Sequence, residues 1–434
     1  MAIQMGVVSF NVPTGAVGTT QNVTGFQDKD AANFDPNAFV FYWSGKVTDV
    51  DALGSGDLTH GVGFAASATD RRVVFGHAQD GGIDSSADNG HRADSVVVTM
   101  VAADGTLDGI LDIDAYITNG CRVIVDDQFA LAHRVHVLGI GGLTNQQTLL
   151  FNTPITGTPP FTQNITTANF QADIVLFSGL WTASVDPPAT RIGVSVFMGG
   201  AVSSTQRGVA LAAIEDAQMA DDSAAYAIST ECIAVVNPAN ANAIAERGDF
   251  VGFTSNGFDI SWLEISTAAA NRVACLLLQG GSWAVGNLVT KTDTTDITVG
   301  SLGFEPAGGM LLSCGRAAST ADTPTADAEL SIGAWSAPTV RGVHSIYSDD
   351  AADPMIVGTG VEFDEVYINV TAALDQLDGL MDIKSRDANG ATFVMDDTDP
   401  SAMFVWYFMG GNIASTFPLP SDIHQKRQWA GYRM

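Results

Sequence analysis

Seven histidines, four cysteines and 48 acidic residues are the groups in this chain that could do chemistry, and their spacing decides which chemistry is open. His133 and His136 are three apart in an apolar run that reads as a strand. Residues so spaced face opposite sides, so the pair cannot grip a metal as an i, i+4 helical pair could. Both read as core or surface histidines. His60, His77 and His91 form a loose group near the start of the chain. Asp104, Asp108, Asp112 and Asp114 are close in sequence, and Asp126-Asp127 and Asp396-Asp397 hold matching places. Loops of this kind can offer oxygen ligands to Ca²⁺, but the spacing fits neither an EF-hand nor a nonapeptide repeat, and the charges read as solvated. Glycoside hydrolysis needs two carboxyl groups flanking a cleft, for which Asp112 and Asp114 on one strand face are the available pair. There is no Gly-x-Ser-x-Gly elbow and no phosphate loop. Cys121, Cys232, Cys275 and Cys314 have no CxxC spacing and read as small core hydrophobes. No catalytic residue, metal ligand or cofactor site is assigned, and a non-enzymatic role is expected.

The elements that carry these groups repeat. Asn119-Gly120, Asn256-Gly257 and Asn389-Gly390 each open a run whose alternate positions are apolar: Cys121, Val123, Val125; Phe258, Ile260, Trp262; Ala391, Phe393, Met395. Arg122, Asp259 and Thr392 fall on the opposite face, the pattern of a half-buried antiparallel strand entered through a tight turn. Each copy leads to a Gly-Gly pair: Gly141-Gly142, Gly280-Gly281 and Gly410-Gly411.

Other signals keep the same order. Gln21-Asn22-Val23-Thr24 matches Gln163-Asn164-Ile165-Thr166 and, more faintly, Asp296-Ile297-Thr298-Val299. A Phe-led turn then enters a short apolar run at Phe39–Trp43, Ile174–Phe177 and Met310–Leu312, which predicts a strand covered on both faces. An Arg follows in mid-repeat, as Arg72-Val73, Arg207-Gly208 and Arg341-Gly342. The stretch from Val209 to Ala217 has helical composition, but its place in the repeat predicts strand.

These signals predict an all-β chain of three tandem β-sandwich, jelly-roll-like modules over 1–142, 143–281 and 282–411, followed by a tail over 412–434. Three such modules can form a rod, or close as a pseudo-threefold disc in which one chain imitates a trimer. The short connection from Leu143 to Gln147 favours compact packing. No apolar run is long enough to span a membrane and no leader pattern opens the chain, so a soluble protein is expected. A formal charge of −29 would be repelled by phosphate backbones, which argues against nucleic acid as a partner. The tail runs the other way: Lys426, Arg427 and Arg433 oppose Asp422 alone, and Trp429 and Tyr432 lie among them. It is expected to anchor the chain on an acidic neighbour or on its own modules.

The ordered series of Pro13-Thr14-Gly15, the Gln-x-Val-Thr strand, the Phe-x-Pro turn at Phe34-Asp35-Pro36, the Asn-Gly strand and the Gly-Gly end resembles β-sandwich modules in virion proteins of tailed bacteriophages. Ala172 replaces the Pro in the second copy, and the third lacks the Asn of the Gln-Asn strand. The resemblance implies a structural protein on the virion exterior, assembled in the host cytoplasm, with a capsid decoration protein as the leading expectation. The implied partners are the major capsid protein or other virion proteins, with self-association open, and neither nucleic acid nor membrane. The alternative it leaves is a tail-fibre or receptor-binding protein that reads host glycans through aromatic residues such as Tyr42, Trp43, Trp181, Trp283 and Trp335.

Overall fold

A computed structural model describes residues 2–412 apart from 49, 82–86, 101–105, 182–188, 192, 216–222, 238–242, 267–269, 318–326, 350–355 and 372–375. Among the described residues every regular element is a strand. The first eleven are β1 (Gln4–Asn11), β2 (Thr20–Thr24), β3 (Ala38–Trp43), β4 (Ala52–Ser55), β5 (Leu58–Ala65), β6 (Arg71–Ala78), β7 (Ala87–Arg92), β8 (Val97–Met100), β9 (Leu107–Ile117), β10 (Gly120–Asp127) and β11 (Arg134–Gly141). Then come β12 (Asn145–Asn152), β13 (Phe161–Ile165), β14 (Ile174–Leu180), β15 (Ala189–Arg191), β16 (Gly193–Ser203), β17 (Gln206–Glu215), β18 (Ala224–Ile228), β19 (Ile233–Val236), β20 (Ile244–Thr254), β21 (Gly257–Glu264) and β22 (Arg272–Gln279). The last ten are β23 (Ser282–Val289), β24 (Ile297–Val299), β25 (Glu305–Ala317), β26 (Ala328–Ala337), β27 (Val340–Ser348), β28 (Val357–Glu362), β29 (Tyr367–Thr371), β30 (Gln376–Asp387), β31 (Gly390–Asp397) and β32 (Met403–Asn412).

Six antiparallel sheets pair off along the chain. A large sheet ordered β1-β11-β3-β5-β6-β7 faces a small one ordered β2-β10-β9-β8. The same order returns as β12-β22-β14-β16-β17-β18 over β13-β21-β20-β19, and as β23-β32-β25-β26-β27-β28 over β24-β31-β30-β29. The Asn-Gly strands and the Gln-Asn strands are hydrogen-bonded neighbours: Asn22 sits opposite Arg122, Asn164 opposite Asp259 and Thr298 opposite Thr392. This pairing explains the glycine. A Cβ on Gly120, Gly257 or Gly390 would lie 2.0, 1.7 or 1.9 Å from the carbonyl oxygen of Val23, Ile165 or Val299, so no larger residue lets the two strands close. All nine alternate apolar positions are buried.

The recurring Arg ties the two sheets of each sandwich. Arg71 bridges to Asp112, Arg207 to Asp249 and Arg341 to Asp382. Registry places Arg71, not Arg72, in the position of Arg207 and Arg341, because Val73, Val209 and Val343 all sit opposite the matching glycines Gly63, Gly199 and Gly333. The segment with helical composition forms β17 as far as Glu215, and Asp216 and Ala217 lie outside the described residues.

Each large sheet is buried on both faces, which is why β3 and β14 read as continuous apolar runs. One face covers the small sheet. The other meets the other two large sheets in a shared core that includes Tyr42, Val62 and Leu138 from the first, Leu176, Met198 and Leu276 from the second, and Met310, Ile332 and Trp406 from the third. The sandwiches also exchange strands. β4 leaves the first sandwich and extends the third sheet beyond β28, with Ala52 opposite Val361 and Ser55 opposite Gly358. β15 leaves the second and extends the first sheet beyond β7, with Ala189 opposite Asn89. The corresponding segment of the third, 318–326, lies outside the described residues. Finally, the Asn412 side chain receives the Ile3 N–H at 2.7 Å and donates to the Ile3 carbonyl at 3.1 Å, joining the first strand region to the last.

Candidate functional site at the junction of the first and third sandwiches

Two consecutive junctions are covalent: β11 runs into β12 through residues 142–144, and β22 into β23 through Gly280 and Gly281. The junction of the third sandwich with the first has no such link, and a polar cluster is built into it. From the first sandwich come Ser9 on β1, Tyr42 and Ser44 on and just after β3, His60 on β5, and Arg134 and His136 on β11. The third supplies Gly342 and His344 on β27, Gly360 on β28, and Phe363.

The rings pack against one another across the boundary. His136 and His344 have centroids 4.4 Å apart, Tyr42 is edge-on to His344 at 6.1 Å, and Phe363 is edge-on to His136 at 5.4 Å. Arg134 lies 4.7 Å above the Phe363 ring. Gly342 is what admits His136, since a Cβ there would fall 2.7 Å from the ring. The second and third sandwiches show the same device, with Trp406 seated over Gly208.

Hydrogen bonds fix the cluster further. The Tyr42 hydroxyl donates to the Gly342 carbonyl at 2.9 Å, and Ser9 bonds His136 Nδ1. Ser44 Oγ lies 2.9 Å from His344 Nδ1 and 3.3 Å from the Gly360 carbonyl. Among the described residues, the Nε2 atoms of His60, His136 and His344 are buried with no hydrogen-bond partner. Burial lowers the His60 pKa to about 4; burial and then Arg134 lower that of His136 to about 3, and burial with His136 holds His344 well below its ordinary value.

Beyond Phe363 the same junction gathers three carboxylates. Asp51, just before β4, meets Glu362 and Asp364, and one oxygen of each lies within 4.8 Å of the others, a spacing that could hold a metal ion. The Phe363 N–H donates to Asp51 at 3.0 Å. Burial and the charge of Asp51 push the Glu362 carboxyl up to about 8, so at neutral pH a proton can be shared within the trio.

The groups singled out from sequence disperse. His133 precedes β11 and its two ring nitrogens lie 3.0 Å from Asp108 and 3.1 Å from the Gly45 carbonyl. Burial would raise the Asp108 carboxyl, but hydrogen bonds from His133, Ala130 and Thr99 hold it below its ordinary range. His60 sits opposite Gly76, close enough for its charge to act on His344, His77 sits opposite Thr59 and Asp88, and His91 shares a strand face with Asn89, whose amide reaches the Gly193 carbonyl at 2.9 Å. Asp112 and Asp114 do not form a catalytic pair: a β-bulge between Ile113 and Ala115 turns Asp112 inward to Arg71 and leaves Asp114 outside with Arg122. Asp104 lies outside the described residues, as do Lys426, Arg427, Trp429, Tyr432 and Arg433 of the tail. Of the five aromatic residues suggested as glycan platforms, Tyr42, Trp43 and Trp335 are fully buried and Trp181 and Trp283 are half-buried. The four cysteines are buried and unpaired.

Sequence reasoning missed His344, Ser9, Ser44 and the carboxylate trio because their partners are more than a hundred residues away. The available signal was Gly342 and Gly208 in the Arg-Gly-Val motif, small residues at one place in two repeats. Comparison with protein-family models and with curated proteins gives no match.

Proposed function

We propose that this chain is a structural protein of the exterior of a tailed-virus particle, and more narrowly a capsid decoration protein. The observation that carries the reading is the closure: three sandwiches of one strand order share a core and exchange strands, while Ile3 and Asn412 are bonded to each other. A body built this way resists being pulled apart, since separating neighbours breaks backbone ladders as well as apolar contacts. Three like faces on one chain suit a position where three copies of a shell protein meet, and linking them raises the effective concentration of each weak contact. The tail after Asn412, with Lys426, Arg427, Trp429, Tyr432 and Arg433, is the proposed grip on an acidic site of the major capsid protein.

Cryo-electron microscopy of particles from the source lysate tests this. The expected result is density at regular positions over the shell, lost when residues 413–434 are deleted from a chain that still folds. Density confined to the tail tip, or no density on particles, overturns it.

A further inference from the structure

Protonation at the ring-closing junction has a consequence that goes beyond the structural role. We propose that the junction between the first and third sandwiches is an acid-operated latch: protonation of His60, His136 and His344 parts these two sandwiches while the two covalently linked junctions stay shut.

The geometry gives the reason. In the closed state the three Nε2 atoms are buried with no hydrogen-bond partner among the described residues, and the backbone carbonyls that act on the rings, those of Trp43, Val343 and Gly360, offset only part of the cost of burying a charge there. A second cost is charge. The His136 and His344 rings are tilted against each other with centroids 4.4 Å apart, so two imidazolium ions would be in contact, and the charged group that acts on both is the Arg134 guanidinium, of the same sign. The other neighbours on the packed elements are neutral: Ser9 on β1, Tyr42 on β3, Ser44, Gly342 on β27, Gly360 on β28 and Phe363. The nearby acids, Asp51, Glu362 and Asp364, gather beyond Phe363, where Asp51 bonds Glu362 and the Phe363 amide. Opening removes the penalty, because exposed imidazoles bind protons in water at their usual value.

The sign follows. The closed state holds its histidines below their ordinary pKa and so binds fewer protons than the open state. Closure is therefore at full strength above the ordinary histidine pKa of about 6.5 and weakens as pH falls below it. Topology makes the response local. Among the described residues the junction of first and second sandwiches has one such ring, His91, with His77 behind it on the other face of the first sheet and opposite Asp88 of β7, and is also held by residues 142–144. Trp406 over Gly208 takes the corresponding place between second and third, with no titratable ring. Because both parted sandwiches stay attached through the second, the latch can reclose on neutralisation at high effective concentration.

Hydrogen exchange read by mass spectrometry on the full chain tests the latch, with labelling times corrected for the intrinsic pH dependence of exchange. The β4–β28 ladder crosses this junction and the β15–β7 ladder crosses the next one, which supplies an internal control. Between pH 7.5 and pH 4.5, β4 and β28 amides should exchange at least tenfold faster, with β15 and β7 changed much less, and the effect should reverse on neutralisation. The double variant His136→Gln with His344→Asn should lose most of this acceleration; the carboxylate trio is the same in both proteins and cancels from the comparison. If the double variant does not fold, His60→Asn alone should lower the acceleration. Equal loosening of both ladders, unchanged exchange in acid, or an acid response that survives the variants overturns the proposal.

Discussion

Replacing Gly342 by Ala should destabilise the protein even though the change adds a single methyl group to an extended strand. At an unconstrained strand position the substitution would stabilise by about 0.4–1 kcal/mol, through the entropy it removes from the unfolded chain. Here the new Cβ would lie 2.7, 2.9 and 3.1 Å from Cε1, Nδ1 and Nε2 of His136. Three ring atoms inside van der Waals contact cannot be relieved by moving a flexible tip. The ring is held by Ser9 on one side and packed against His344 and Phe363 on others. Overpacking of this kind costs about 1–3 kcal/mol. Gly252→Ala is the matched control, since a Cβ at Gly252 meets nothing within 4 Å, and it should be neutral or slightly stabilising. Urea unfolding at pH 7.5 followed by tryptophan fluorescence reads both. Adding His136→Ser to Gly342→Ala removes the obstructing ring, so the double variant should be less destabilised than the sum of its parts by about 1–2 kcal/mol. If Gly342→Ala behaves like Gly252→Ala, or if the two changes at the junction simply add, the packing argument is wrong and the ring has room to move.

Two further outcomes follow from the carboxylate trio and the thiols. Glu362 carries a folded pKa of about 8 against an ordinary 4.5, so the folded state holds a proton that the unfolded state loses as pH rises through that window. The wild type is thus progressively penalised from pH 4.5 to pH 8, and Glu362→Gln should be more stable by about 1–2 kcal/mol at pH 8.5, after allowing for its partial exposure, with no gain at pH 4.5. Thermal unfolding in EDTA at the two pH values checks this, and an equal gain at both would refute it. The four buried thiols, with Cys121 and Cys314 pushed up to about 12 by burial, should resist a thiol reagent at pH 8 in the native protein and all react after unfolding in guanidinium. Rapid reaction of any one of them in the native state would show that its strand opens locally.

Local pattern determined a good deal about this protein. The alternation after each Asn-Gly names the nine residues that face the sandwich cores, because side chains on a strand alternate faces whatever lies beyond them. Continuous apolar runs such as Phe39–Trp43 announced strands covered on both sides, and β3 is wholly buried. What lay beyond local pattern was the identity of the second cover. That cover is the other two large sheets, and no periodicity within a repeat can state which surface of a distant repeat it meets. The Arg was visible in the second and third repeats and misplaced by one residue in the first, where Arg72 was read for Arg71, and its partner was not visible at all, since Asp112, Asp249 and Asp382 are about 40 residues further on and on the other sheet. The bulge at Ile113–Ala115 likewise reversed the simple reading of Asp112 and Asp114, for one extra residue turns a shared face into two. The junction shows the limit most clearly. His136 and His344 are 208 residues apart and occupy different places in their repeats, so only the closing of the chain on itself brings the rings to 4.4 Å. Period and composition therefore specified the sandwiches, while long-range packing decided which buried polar groups meet and where the closed body can come open.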